Sequence, residues 1–275
     1  MIEIKPINCE IVRPVIPPIE KQGLLVKGSK LFPDPYSNIF LVARKRSGKT
    51  SAIFKILREC MTKDTTLICF VSTIHKDRTW QLITKYFENK GNNVLKYTSL
   101  MEDGINQLEA LVKHLENENP EDEEEKEKVI QGRGVLKFND DEEEIKGEGK
   151  RKSKYVPLEY IIVCDDLSDE LKNKSLVSLL KKNRHFKAKV IISSQYLNDL
   201  LPESLKQIDY WLVFKSIPEE KLQHIYKMAD ISIPYELFIQ IYKKATEKMY
   251  SFLYIDTQRE QFRRNFNCIF KIPEI

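Results

Sequence analysis

The chain has 275 residues, 41% of them hydrophobic and 31% charged, with a formal net charge of +4. That apolar content suffices for one large core or two small ones, while no apolar run approaches the ~18 residues of a membrane span, so no membrane association is expected. The five cysteines (Cys9, Cys60, Cys69, Cys164 and Cys268) form no C-x-x-C pair and share no metal-ligand spacing with the four histidines, which reads as reduced core thiols in an intracellular compartment.

Residues 1–37 are rich in Pro and β-branched residues, and their start, M-I-E-I-K-P-I-N-C-E, lacks a signal-peptide pattern. They read as a β-containing lead-in ending at Pro33-Asp34-Pro35. The next stretch, N-I-F-L-V-A-R-K-R-S-G-K-T-S, predicts a buried strand over Ile39–Val42 that breaks into a small-residue turn. It is close to the phosphate-loop pattern G-x-x-x-x-G-K-[ST], with Ala43 where the first Gly belongs. The candidate nucleotide-binding residues are Ala43, Arg44, Lys45, Arg46, Ser47, Gly48, Lys49, Thr50 and Ser51. Backbone N–H groups from Arg46 to Lys49 would wrap a β-phosphate, and Gly48 lets the backbone come close. Lys49 would place its charge between the β- and γ-phosphates of ATP, and the Thr50 hydroxyl would meet Mg²⁺. Apolar residues at Ala52, Ile53, Ile56, Leu57 and Cys60 predict a helix over Ser51–Met61 whose N-terminus faces the phosphates. The bland alternative is a strand–turn–helix with a surface lysine.

Further on, Thr65–Ser72 is a short continuous apolar run, as in a strand buried on both faces. Asp77–Glu88 predicts a helix with Trp80, Leu82, Ile83 and Phe87 on its apolar side, Val94–Tyr97 a strand, and Gly104–Glu116 another amphipathic helix. Composition then shifts. Glu116–Gly149 holds 14 acidic and 5 basic residues, about −9, which leaves about +13 on the rest of the chain. The segment 117–154 reads as a mobile charged surface insertion with a brief hairpin near Val135–Phe138. A basic body is compatible with a polyanionic partner.

Past the insertion, Glu159–Cys164 is a buried-strand run ending in Asp165-Asp166, and Leu167–Lys182 reads as one helix. An acidic residue ending a buried strand downstream of a phosphate loop is where a Walker B motif belongs. Asp165 would hold Mg²⁺ beside Thr50, and Asp166 would polarise the attacking water. A bound cation gives two adjacent carboxylates a reason to coexist. Alternatively Asp166 or Ser168 caps the following helix. Lys189–Ile192 is another buried strand, and Gln195 at its tip is a candidate γ-phosphate sensor or simply a strand terminator. Arg184, in Asn183-Arg184-His185, is a candidate arginine finger reaching a neighbouring subunit, or a surface arginine. His185 reads as an edge residue. By charge alone Lys181, Lys182, Lys187 and Lys189 are candidates for DNA contact. Tyr210–Lys215 reads as a strand, Glu219–Met228 and Pro234–Lys248 as helices, and Tyr250–Ile255 and Asn265–Phe270 as closing strands. Buried strands alternating with helices predict an α/β domain with a central, largely parallel sheet.

Taken together, A-R-K-R-S-G-K-T, F-V-S-T-I-H-K-D-R-T-W, I-I-V-C-D-D-L and N-R-H-F-K-A-K-V-I-I-S-S-Q resemble the DNA-packaging ATPases of large DNA viruses. These are the poxvirus-type enzymes with their virophage and polinton-like relatives, within the FtsK–HerA superfamily. The resemblance spans about Ile39–Phe214, and Lys76-Asp77-x-x-Trp80 is among its more discriminating marks. It implies a P-loop NTPase fold of RecA/FtsK type over 38–275, ATP and Mg²⁺ as cofactors, and an ATPase that drives double-stranded DNA into a capsid. It further implies Lys49 and Thr50 at the nucleotide, Asp165 at Mg²⁺, Asp166 in catalysis, Gln195 as sensor and Arg184 as finger in trans. The implied partners are DNA, copies of the chain in a ring, and a capsid or portal protein. The implied place is the host cytoplasm or a virus factory, or the virion itself. The long acidic insertion departs from that pattern: it reads as a solvated loop with no role, the alternative being that it keeps DNA off the outer surface or contacts a capsid protein, for which there is no motif. A P-loop small-molecule or nucleoside kinase is the alternative. A GTPase is disfavoured by the lack of an N-K-x-D motif, and a third reading is a nucleotide-binding structural protein without turnover.

Overall fold

The computed structural model describes residues 25–102, 104–117 and 155–272. The expected insertion and its hairpin lie outside them, apart from Asn117 at the end of a helix. Cys9 lies outside them as well. Of the lead-in, residues 25–37 contribute a single bridge, Leu25 with Tyr155, and put Leu31 and Phe32 into the core.

In chain order the strands and helices begin with β1 Asn38–Val42, α1 Lys49–Cys60, β2 Thr66–Val71, α2 Arg78–Glu88 and β3 Val94–Tyr97. The short pair β4 Met101–Glu102 and β5 Ile105–Asn106 precedes α3 Gln107–Asn117. After the undescribed segment come β6 Tyr160–Asp165, α4 Lys174–Lys182, β7 Ala188–Ser194, the single turn α5 Pro202–Leu205 and β8 Tyr210–Phe214. The chain closes with α6 Glu219–Met228, α7 Tyr235–Ala245, β9 Phe252–Asp256, β10 Gln261–Arg264 and β11 Cys268–Ile269.

Among the described residues one nine-stranded sheet runs β11-β10-β9-β8-β1-β7-β6-β2-β3. Its six strands from β8 to β3 are parallel, and β9, β10 and β11 add an antiparallel edge. This is the expected largely parallel α/β sheet. Period-two alternation splits each central strand between two cores. In β1, Phe40 and Val42 face one core, and Ile39 and Leu41 the other. The first core is roofed by α3, α4, α6 and α7 through residues such as Val112, Leu179, Ile225 and Phe238. The second is roofed by α1 and α2 through Ile53, Ile56, Leu57, Trp80 and Phe87. With both faces covered, every residue of β1, β7 and β8 is buried. Full burial of one such large apolar side chain stabilises by roughly 1.5–3 kcal/mol, which is why these runs read as unbroken apolar sequence.

Two expected elements differ. The helix predicted over 167–182 is a 3₁₀ turn, Ser168–Lys172, followed by α4. Asn173 interrupts it, because its Oδ1 accepts from the Ser175 N–H at 2.8 Å and caps a fresh helix. Of the strand predicted over 265–270 only β11 is strand, because Asn265 adopts a left-handed φ of 53° and turns the chain between β10, which the prediction did not include, and β11.

Candidate nucleotide-binding site

Register brings the chemistry together. Val42 pairs with Ser194, and Asp165 lies level with Ser193 and Val71. The loop after β1, the acidic end of β6 and the Gln195 end of β7 therefore meet at the carboxyl edge of the sheet, where ligands of open α/β sheets bind.

Ala43 is fully buried and its N–H donates to the Ser194 carbonyl at 3.1 Å, so it serves the site as a small core residue anchoring the loop. Its φ is not in the left-handed region, which explains why a methyl group is tolerated where the pattern has Gly. Arg44, Lys45 and Arg46 are exposed, and Arg46 and Gly48 turn the loop at φ of 60° and 94°. Gly48 precedes α1 with no side-chain cap, and the first turn holds no acidic residue. The N–H groups there and the positive end of the helix are left for an anion.

Lys49 reaches from that turn to the acidic pair. Its Nζ stands 3.1 Å from Asp165 Oδ1 and 3.5 Å from Asp166 Oδ1. The amine lies off the hydrogen-bond direction of Asp165, so this buried oxygen has a charge nearby but no directed bond. The other oxygen, Asp165 Oδ2, accepts from Trp80 Nε1 at 3.1 Å. Asp165 is only 3% exposed, whereas the Asp166 side chain is 38% exposed and faces the cleft. Asp166 takes a left-handed φ of 59°, a conformation that Asp tolerates better than most residues, which turns the chain sharply after β6. Ser72 Oγ donates to the Asp166 carbonyl at 3.0 Å and Gln195 Nε2 to Asp166 Oδ1 at 3.4 Å. Lys221 of α6 donates to the Gln195 carbonyl at 3.2 Å, its ammonium 4.2 Å from the Tyr196 ring centre. The thiols beneath are inert, as burial pushes Cys164 up to about 12 and raises Cys69 as well.

Thr50 and Ser51 line the same cleft, of about 850 Å³. The Thr50 hydroxyl and Asp165 carboxylate are hard oxygen donors of the kind Mg²⁺ takes, and the undirected Oδ1 of Asp165 has a lone pair to offer.

Arg184 is not part of this assembly. It is exposed beyond the amino end of β7, a seven-residue strand, hence about 20 Å from the Gly48 turn of its own chain. There it lines a pocket of about 350 Å³ with Asn38, Asp209 and Gln258. Burial raises the Asp209 carboxyl above its ordinary value, while the Asn38 N–H and the Arg184 charge pull it down. Of the lysines selected by charge, Lys189 is 1% exposed and donates to the Asp34 carbonyl and to Ser37 Oγ, so it belongs to the core and is out of reach of DNA. Lys182 pairs with Glu116 and Lys187 with Glu159.

Sequence reasoning missed three contacts of the site. Trp80 stood out as an apolar helix residue and a family mark, yet its Nε1 also donates to Asp165. Its helix is capped by Asp77, whose Oδ1 accepts from the Thr79 N–H at 2.7 Å. Ser72 was part of a family-like stretch but was assigned no role, and Lys221 belonged to no motif.

No protein-family profile and no curated protein matches the chain. Solved structures do. The genome packaging NTPase B204 from Sulfolobus turreted icosahedral virus 2, in complex with AMP, superposes with a TM-score of 0.51 at 17% identity, over 88% of this chain and 100% of that one. The same NTPase with ATP-gammaS gives 0.50 at 18% identity, and with AMPPCP 0.50 at 19%, each over 86% of this chain and 98% of that one. At this identity the likeness establishes the fold, an α/β P-loop NTPase fold whose largely parallel sheet is flanked by helices.

Proposed function

We propose that a chain with this fold and this cluster is a Mg²⁺-dependent ATPase that moves double-stranded DNA, packaging a viral genome into its capsid. The observation that carries the reading is Lys49 held between Asp165 and Asp166, with Gln195 on the second carboxylate, beside an uncapped helix N-terminus. Lys49 is a cation on loan: a triphosphate entering the loop offers it a stronger counter-charge than the two carboxylates. Its departure frees Asp165 Oδ1 and Asp166 Oδ1. Thr50 and Asp165 would hold Mg²⁺, which would supply positive charge against the triphosphate. Asp166 accepts a proton from the attacking water or orients it, and Gln195 reports the γ-phosphate to β7 and, through Lys221, to α6. The fold of a genome packaging NTPase supports DNA as the load.

The ATPase domain covers 38–275, with 1–37 as its lead-in. Copies of the chain form a ring that docks on a capsid or portal protein. Arg184, out of reach of its own nucleotide, stabilises the transition state on a neighbour.

The test is hydrolysis by purified protein with and without long duplex DNA. Stimulation by DNA that disappears in Lys49→Ala supports the motor. DNA-independent phosphorylation of a small acceptor would instead identify a kinase and refute it. Arg184→Ala should lose stimulated turnover and regain it when mixed with Lys49→Ala subunits.

A further inference from the structure

The cleft has a second wall that the chemistry above does not use. Besides the Gly48 loop it is lined by Phe214, Tyr250, Phe252, Asn265 and Phe266, from the junctions of β8, β9 and β10. Its volume of about 850 Å³ lies within the range of small-ligand sites and exceeds what a triphosphate chain alone would fill.

The wall is built and held. Phe214 and Phe252 pair across β8 and β9 and are buried. The Asn265 Oδ1 accepts from the Phe252 N–H at 3.0 Å, locking the β10 turn against the start of β9. Lys215 Nζ donates to the Glu247 carbonyl at 2.6 Å and Ser251 Oγ to the Lys248 carbonyl at 2.6 Å, which pins the segment entering β9.

On that pinned segment Tyr250 adopts a φ of 62°. For a bulky residue this is an outlier, and such strain persists only where the surroundings impose it. Its consequence is visible. The ring lies against the phosphate loop, with Cδ1 3.4 Å from where a Cβ on Gly48 would stand, yet the residue remains 61% exposed. A large, mostly exposed aromatic ring thus stands beside the Gly48 turn.

Resting on the nucleotide reading of this site, we propose that Tyr250 is the stacking surface for the nucleobase of the bound nucleotide. The ligand class is a triphosphate carrying a planar heteroaromatic ring, its phosphates on the Gly48–Thr50 turn and its base on the Tyr250 face. Stacking of this type needs a π-face and no particular hydrogen-bond pattern.

The test compares ATP with inorganic tripolyphosphate, which has the charge and lacks the base. Binding of each is measured by calorimetry to the wild type, Tyr250→Phe and Tyr250→Ala. Tyr250→Ala should weaken ATP about tenfold or more and leave tripolyphosphate unchanged, while Tyr250→Phe retains both affinities. Unchanged ATP affinity in Tyr250→Ala overturns the assignment. So does an equal loss of ATP and tripolyphosphate, which would make Tyr250 a prop for the loop. If the wild type binds neither compound, the nucleotide reading itself falls.

Discussion

At the carboxyl ends of the parallel strands Lys49 stands 3.1 and 3.5 Å from two carboxylates, and Gln195 reaches Asp166 only at 3.4 Å. At the amino ends Arg259 grips Asp34 with two bonds of 2.8 and 2.9 Å, and Tyr210 donates to the same carboxylate. Asp256, fully buried, accepts the N–H groups of Gln258 and Arg259 at 3.2 and 3.0 Å. The same residue types serve opposite ends of one sheet. Where the contacts are short and bidentate, they close the fold, tying residue 34 to the β9–β10 turn. Where they are long and leave a buried oxygen undirected, they suit the exchange for a ligand that the proposed ATPase needs. Bond geometry, more than charge count, distinguishes the closing ion cluster at Asp34 from the candidate site at Lys49.

That contrast can be broken in four ways, from the largest expected effect downward. Asp166→Asn should lower turnover by roughly 100-fold or more, as loss of a general base does, with ATP still bound. Steady-state kinetics beside equilibrium binding would check it, and a variant with normal turnover would remove Asp166 from the chemistry. Trp80→Phe keeps the packing but deletes the donor to Asp165, so turnover should fall by about tenfold, the weight of one hydrogen bond to a charged group. If ATP affinity fell in step with turnover, Trp80 would be shaping the pocket as a whole instead of orienting Asp165.

At the other end Arg259→Ala should cost on the order of 1 kcal/mol in denaturant unfolding, discounted because the guanidinium is 41% exposed. Turnover should stay within about twofold, the level expected of a site so distant. A large kinetic defect would mean that the two ends are coupled. The smallest effect is in pH. The hydrogen bond from Arg259 leads the causes that hold Asp34 below its ordinary value of 3.8. A depressed carboxylate contributes its stability above the unfolded pKa and loses it as pH falls through the folded one. The gap between wild type and Arg259→Ala should therefore be full at pH 6 and narrow as pH drops below about 4. A gap independent of pH would assign the loss to packing of the Arg259 stem.

Much of the site was legible because its motifs are local. A strand buried on both faces has to be a continuous apolar run, so the ends of β1, β6 and β7 announced where Lys49, Asp165 and Gln195 would emerge. Short-range turn chemistry was less legible. Asn173 breaks a periodic pattern by capping, and Asn265 bends a β-rich stretch by adopting a left-handed conformation, although neither changes the hydrophobic period from which elements are read. Lys189 misled by its type, since its charge suggested DNA contact although it opens a buried-strand run, and its bonds to Asp34 and Ser37 place it in the core.

The sequence by itself determined the alternation of strands and helices, the Gly48 turn before α1 and the acidic pair, because each depends on neighbours within a few residues. Tertiary structure alone decided that Trp80 meets Asp165, 85 positions away, that Arg184 stands at the opposite end of the sheet, and that Tyr250 lies against Gly48. Those placements follow from strand order and register, which bring distant segments within hydrogen-bond reach and leave no trace in the spacing of residues along the chain.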